Sequence, residues 1–277
     1  MRRSVSPFVQ FVIGAVATLL LAMYSTFGSA PEQEMGYLSA LGSAAIVGMC
    51  AAVIIGVAAG FGRKEPWRRQ WMLVGLGVAA YSLAHLAIAA HAAFGADALL
   101  LPSPDVFFFA QYLLIGAAFV AVAQSYRPLV DARRPAAAAV VFGALAVAAL
   151  WFGLVIPYVL PQSDGVAQAL RTALYPAGDI LFLFVPSAYV ALSIAQLGGG
   201  RFARPWFLLS IGAVVLACGR AAAVWLQVTG GYEPGMVIDY VPLLAFLLMA
   251  AGALSAARLA EEFMAPARVP LSAPSAA

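Results

Sequence analysis

PWFLLSIGAVVLACGRAAAVWLQVTGGYEPGMVIDYVPLLAFLLMAAGALSAARL, running from Pro205 to Leu259, decides the fold. It reads as a hairpin of two membrane-spanning helices. The first covers about 206–228 and holds one arginine, Arg220. A glycine-rich loop, Thr229 to Ile238, follows. The second helix opens on an acid, Asp239, and stays apolar to about Ala257. Each run is close to the ~20 residues that a ~30 Å hydrocarbon layer requires.

Outside this hairpin the composition says the same. The chain has 277 residues, of which 64% are hydrophobic and 10% charged. Its mean hydropathy is +0.95. Soluble domains carry about 25% charged residues, so lipid must face much of this surface. The net charge of +3 does not indicate nucleic acid, because the basic residues sit in short clusters between apolar runs. The two cysteines, Cys50 and Cys218, both fall inside apolar runs and read as small buried residues.

The expected fold class is all-α: a polytopic membrane bundle of about eight transmembrane helices built from repeated hairpins. The spans are placed at about 8–28, 36–61, 70–94, 105–125, 136–160, 179–197, 206–228 and 239–257. The bundle takes in residues 1–262, and 263–277 is expected to be a disordered, Pro/Ala/Ser-rich cytoplasmic tail. The first run follows Met1-Arg-Arg and precedes a Gly28-Ser29-Ala30 site. At 20 residues from Phe8 to Phe27 it is longer than a signal-peptide core, and it reads as an uncleaved span. The segment 161–178 is the longest loop, with Asp164 as a cap for a short helix to about Leu174.

With the N-terminus in the cytoplasm, thirteen arginines and lysines fall on inner segments and only Arg171 on an outer one. This positive-inside asymmetry places both termini in the cytoplasm of a bacterial inner membrane. Acids lean the other way, toward the outer boundary. Three of them begin the second helix of a hairpin: Asp105, Asp179 and Asp239. Trp71 with Trp206, Gly77 with Gly212 and Gly95 with Gly230 share an offset of 135, and a one-residue gap then aligns Asp105 with Asp239. The aspartates read either as first-turn caps or as an outward cluster that binds a cation or polar ligand.

Arg220 lies about 21 Å from the inner boundary at 1.5 Å per residue. A charge inside a membrane is costly. Arg220 either snorkels outward or pairs inside the bundle, with Asp239 first and Asp179 second. His85 is the residue that matches it in span three, which suggests a polar level at that depth. The candidate ligand-binding or polar-cluster residues are therefore Arg220, Asp239, Asp179, Asp105 and His85. No catalytic residue, metal ligand or cofactor is expected. His85 and His91 share one helix, six residues apart, and cannot sandwich a porphyrin. Lys64, the only lysine, lies in a loop, which excludes a retinal-type site. No phosphate-binding glycine motif surrounds Gly198-Gly199-Gly200. Gly14, Gly48, Gly56, Gly60, Gly116 and Gly143 read as helix-packing positions.

Trp71 and Gly77, Pro102-Ser-Pro-Asp105 with Tyr112, Tyr175-Pro-Ala-Gly-Asp179, and Gly230-Gly-Tyr-Glu-Pro-Gly235 with Asp239 carry a resemblance. Over about 70–260 the chain is similar to the multi-span N-terminal input regions of bacterial GGDEF/EAL cyclic-di-GMP signalling proteins and of some histidine kinases. The resemblance implies sensing or anchoring in the membrane. No GGDEF, EAL or kinase motif is present, so catalysis does not carry over. The expected partners are the lipid bilayer and either a separate cytoplasmic signalling protein or a second copy; nucleic acid is not expected. A small-solute transporter is the alternative, because internal repeats and intramembrane charges are common there.

Overall fold

In the computed structural model, residues 9, 12–18, 20, 32–94, 103–162, 166–198, 200–233 and 236–264 are described. Helix dominates them, and seven helices are long and apolar enough to cross a membrane. The all-α bundle is the architecture expected. The helices are α1 (Glu32–Gly60), α2 (Pro66–Phe94), α3 (Pro104–Tyr126), α4 (Arg133–Leu150), α5 (Val166–Gly178), α6 (Val185–Ala195), α7 (Arg204–Val228) and α8 (Val241–Met264). A π-helical segment, Trp151–Val159, extends α4, and another, Asp179–Phe184, joins α5 to α6. Residues 12–18 are helical, but most of the expected span 8–28 lies outside the described residues. So does the tail beyond Met264.

Contacts run in a ring: α1 on α2, α2 on α3, α3 on α6, α6 on α7, α7 on α8, and α8 back on α1. α4 packs from outside, chiefly on α6. Only 22% of its apolar stretch is buried, against 56% for α1 and for α2. Val140, Phe142, Leu145 and Phe152 are exposed on it, as a lipid-facing helix requires.

Local chemistry sets the helix ends. Ser103 caps α3, with Pro104 in its first turn, where its missing N–H costs nothing. α7 ends at Gly230, whose φ of +72° is a conformation that favours glycine. Gly231 N–H bonds Leu226 O at 2.9 Å and Gly230 N–H bonds Gln227 O at 3.3 Å, a paired closure of the last turn. This stop fixes Arg220 about two turns inside the helix end.

Near the arginine-rich end an aromatic layer fills the bundle. Trp71 and Trp206 are fully buried and stack at 5.2 Å with their rings 12° apart. Trp67 meets Trp206 edge-on at 5.8 Å and Phe61 at 5.8 Å. Trp206 Nε1 donates to the Tyr126 hydroxyl at 2.8 Å. Two glycine notches bring the helices of each hairpin together. A Cβ on Gly77 would lie 2.6 Å from Ile115 Cγ1 on α3, and one on Gly212 would lie 2.7 Å from Ala245 O on α8. Of the expected packing glycines, Gly14, Gly48, Gly116 and Gly143 face neighbouring side chains. Gly56 and Gly60 do not: nothing lies within 4 Å of a Cβ there. They are on the outer face of α1.

The largest departure from the sequence reading is at 161–179. Residues Val166–Gly178 are helix, so the short helix expected to about Leu174 does not stop there but continues without a break into the sixth span. Pro176 removes one N–H from the α-helical ladder. The backbone absorbs the mismatch by widening to the π-helix at Asp179, where Val185 N–H bonds back to Ile180 O. Pro157 lies within the other π segment, Trp151–Val159. Asp179 is therefore not a first-turn cap; it is 1% exposed in mid-span. The expected Asp164 cap lies outside the described residues. Cys218 is exposed, contrary to the buried reading, whereas Cys50 is buried.

Candidate functional site

Arg220 projects from α7 into the bundle. Its Nη1 donates to Asp179 Oδ1 at 3.1 Å and to the Tyr112 hydroxyl at 2.7 Å. Its Nη2 donates to Gln111 Oε1 at 2.8 Å. The guanidinium carbon also lies 5.0 Å from the centre of the Tyr81 ring, 5.5 Å from Phe108 and 5.2 Å from Tyr112. Three aromatic faces and one carboxylate thus replace water around the charge. The Arg220 side chain is 12% exposed and the Asp179 side chain 2%.

The site draws on four elements. α2 supplies Tyr81 and His85, α3 supplies Phe108, Gln111 and Tyr112, the π-helical segment supplies Asp179, and α7 supplies Arg220. Gly178 is what lets Tyr112 lie against the sixth span: a Cβ there would be 3.1 Å from Tyr112 Cε2. The Tyr112 hydroxyl accepts from Arg220 and donates to the Tyr175 carbonyl at 3.2 Å. The Tyr175 hydroxyl in turn donates to Asp105 Oδ1. Tyr175 thus touches both groups from its two ends: its carbonyl bonds the Tyr112 hydroxyl of the Arg220 network, and its phenol, on the other side of the ring, bonds Asp105.

The sequence reading puts Asp239 first as the partner of Arg220. The ion pair is instead with Asp179, the second choice. Asp239 accepts a hydrogen bond from the Tyr232 hydroxyl at 2.9 Å. Burial, and then the Asp239 carboxylate, push the Tyr232 phenol above its ordinary pKa. Asp239 nonetheless shares a cavity with Arg220 and His85. The cavity measures about 260 Å³ and is lined also by Ser39, Ser43 and Tyr232. It lies toward the end of the bundle opposite the arginines. His85, expected at the depth of Arg220, is there. Asp105 does not line this cavity; its carboxylate accepts from the Tyr175 hydroxyl and from Ser103 Oγ.

Tyr81, Phe108, Gln111, Tyr112 and Tyr175 were not among the expected site residues. Gln111 had a signal: it is an amide inside an apolar span, and it is fully buried. Tyr81 and Phe108 had none, since rings at helical spacing are ordinary core, and Tyr112 and Tyr175 stood out only in the motifs that carry the resemblance. Three polar atoms in the site have no hydrogen-bond partner among the described residues: Asp179 Oδ2, Gln111 Nε2 and His85 Nδ1. Unpaired buried polar atoms are rare in folded proteins, and each invites a functional account. Among the described residues no group of three His, Cys, Asp or Glu side chains could hold a metal ion. A second cavity, of about 360 Å³, lies between α4, α5 and α7; its wall is apolar except for Asp179 and Cys218. No protein-family model, curated protein or solved structure matches this chain.

Proposed function

We propose that this chain is a membrane sensor or interaction module of a bacterial signalling type, without catalytic activity of its own. It takes a small polar ligand into the Arg220 cavity and signals to a separate cytoplasmic partner. The thirteen-to-one distribution of basic residues supports an inner-membrane orientation with both termini cytoplasmic and the cavity facing outward. The observation that carries the reading is the contrast between the two ends. One end holds a polar cavity with an arginine, a histidine and an aspartate. The other is filled by the Trp67, Trp71 and Trp206 layer. That arrangement favours reception over passage.

A transporter is the second reading, and one observation favours it. The α2–α3 and α7–α8 hairpins share the offset of 135, and Gly77 and Gly212 make equivalent close approaches to their partner helices. Such repeats are frequent in transporters, and π-helical widenings are frequent at functional sites. The two readings separate in reconstituted vesicles. Thermal-shift screening of the detergent-solubilised chain against small polar solutes identifies a ligand. In proteoliposomes that solute then binds to saturation without time-dependent accumulation under an imposed proton or sodium gradient. Accumulation would establish the transporter instead.

A further inference from the structure

We infer that the groove between α3, α4 and α6, at the arginine-rich end of the bundle, binds an anionic phospholipid, with one acyl chain between the helices and the phosphate on Arg127 and Arg133. The inference stands apart from the Arg220 cavity and does not depend on what that cavity binds. Two fastenings frame the groove. Toward mid-span α4 and α6 touch: a Cβ on Gly143 would lie 2.5 Å from Val185 Cγ2. At the arginine-rich end Gln196, just past α6, holds the chain ahead of α4. Its Oε1 accepts from Asp131 N–H at 3.0 Å, and its Nε2 donates to Asp131 O at 3.2 Å. Between these points lies a cavity of about 370 Å³. Apart from Gln124, Arg127 and the Tyr189 phenol, its lining is apolar.

Helical spacing puts an arginine at the foot of two walls. Val120, Ala123, Gln124 and Arg127 recur at three and four residues and form one stripe of α3 and the turn after it. On α4, Arg133 has the same spacing to Ala136 and then Val140, which line the facing wall. Among the described residues, the side chains of Arg127, Arg133 and Arg134 make no hydrogen bond or ion pair. Asp131 is the acid of this turn, and its carboxylate accepts from Arg133 N–H at 3.1 Å. Three guanidiniums against one carboxylate leave 127–134 with a net charge of +2. A guanidinium can take a phosphate in two bonds, and basic pockets between spans are recurrent sites for anionic lipid head groups.

Dimensions decide for a lipid chain over a protein segment. From Phe119 to Arg127 is eight residues, about 12 Å along the helix, within the ~15 Å of one leaflet. A helix about 10 Å across fills roughly 900 Å³ over that length; the groove offers about 370 Å³. At ~30 Å³ per water-sized group, that volume holds on the order of a dozen methylenes. Val120 and Val140 line it and are exposed, which leaves it open toward the bilayer. A free anion would make no use of the apolar walls, and a neutral lipid none of the arginines.

The test is lipid titration of the purified full chain in detergent, read by native mass spectrometry. The probes are dioleoylphosphatidylglycerol, dioleoylphosphatidylcholine and sn-glycerol 1-phosphate. The two lipids share their chains and phosphate and differ in net charge; the third probe is the head group alone. Phosphatidylglycerol binds at least about fivefold more tightly than phosphatidylcholine, the factor expected of one arginine near a lipid surface. Arg127→Gln combined with Arg133→Gln reduces that preference to about twofold or less. Arg63→Gln combined with Lys64→Gln removes two charges from the turn between α1 and α2 and leaves it unchanged. Ala136→Phe fills the groove from an exposed position of its wall and weakens phosphatidylglycerol binding with no change of charge; it decides the question if the arginine double variant does not fold. Equal binding of the two lipids overturns the inference. So does a preference that survives Arg127→Gln with Arg133→Gln, or phosphatidylglycerol binding that survives Ala136→Phe. Binding of sn-glycerol 1-phosphate as tight as that of the lipid reveals a free-anion site and overturns it as well. None of these outcomes bears on the Arg220 cavity.

Discussion

Arg220→Ala lowers the stability of the bundle by about 3–5 kcal/mol, the range for removing one partner of a buried ion pair. The magnitude follows from burial: the side chains of Arg220 and Asp179 are 12% and 2% exposed, so little water screens them. The alanine strands the Asp179 carboxylate in an apolar setting and removes the donors to Tyr112 and Gln111. Pairing Arg220→Leu with Asp179→Asn recovers much of the loss, because no charge is then left unbalanced. Pairing Arg220→Leu with Asp239→Asn recovers little, since Asp239 is not the ion-pair partner. Thermal unfolding in detergent of the singles and both doubles checks this. An unchanged midpoint for Arg220→Ala would mean that the guanidinium is solvated and holds nothing together.

Trp206→Ala costs a similar ~3–5 kcal/mol, through a cavity rather than a charge. Trp206 is completely buried between Trp67 and Trp71, and its indole N–H is bonded to Tyr126. Alanine leaves a void at the point where α2, α3 and α7 meet. Trp206→Phe restores part of the volume but abandons the Tyr126 hydroxyl, so it falls between alanine and the native chain. Denaturant or thermal unfolding ranks the three. A Trp206→Ala midpoint equal to the native one would show that the aromatic layer is not structural.

The spans were legible because lipid leaves the backbone only one economical option, and runs of about twenty apolar residues announce it. Trp71 and Trp206, aligned by offset alone, meet face to face in the bundle. The depth of Arg220 could be counted along its own helix. Its partner could not, because that depends on how α7 sits against the sixth span. Pro176-Ala-Gly-Asp179 carries the signs of a loop and a fresh helix start. Packing of Gly178 on Tyr112 and a π-helical turn carry the helix through it instead. That single event moves Asp179 from a cap to the centre of the site. Gly56 and Gly60 illustrate the same limit: a small residue shows that close approach is permitted, not that a neighbour comes.

A polar cavity open at the end opposite the arginines, with tryptophan sealing the other end, is what the proposed function depends on. Cysteine accessibility tests it most directly, in a Cys50→Ala and Cys218→Ala background, with a membrane-impermeant maleimide added to either face of sealed membranes. Ser39→Cys lies in the cavity wall and is half-buried, and Ser210→Cys is buried one turn beyond Trp206; both changes nearly conserve volume. Ser39→Cys should be labelled from the extracytoplasmic face alone, and Ser210→Cys from neither. Labelling of Ser39→Cys from the cytoplasmic face, or of Ser210→Cys from that face, would contradict the account.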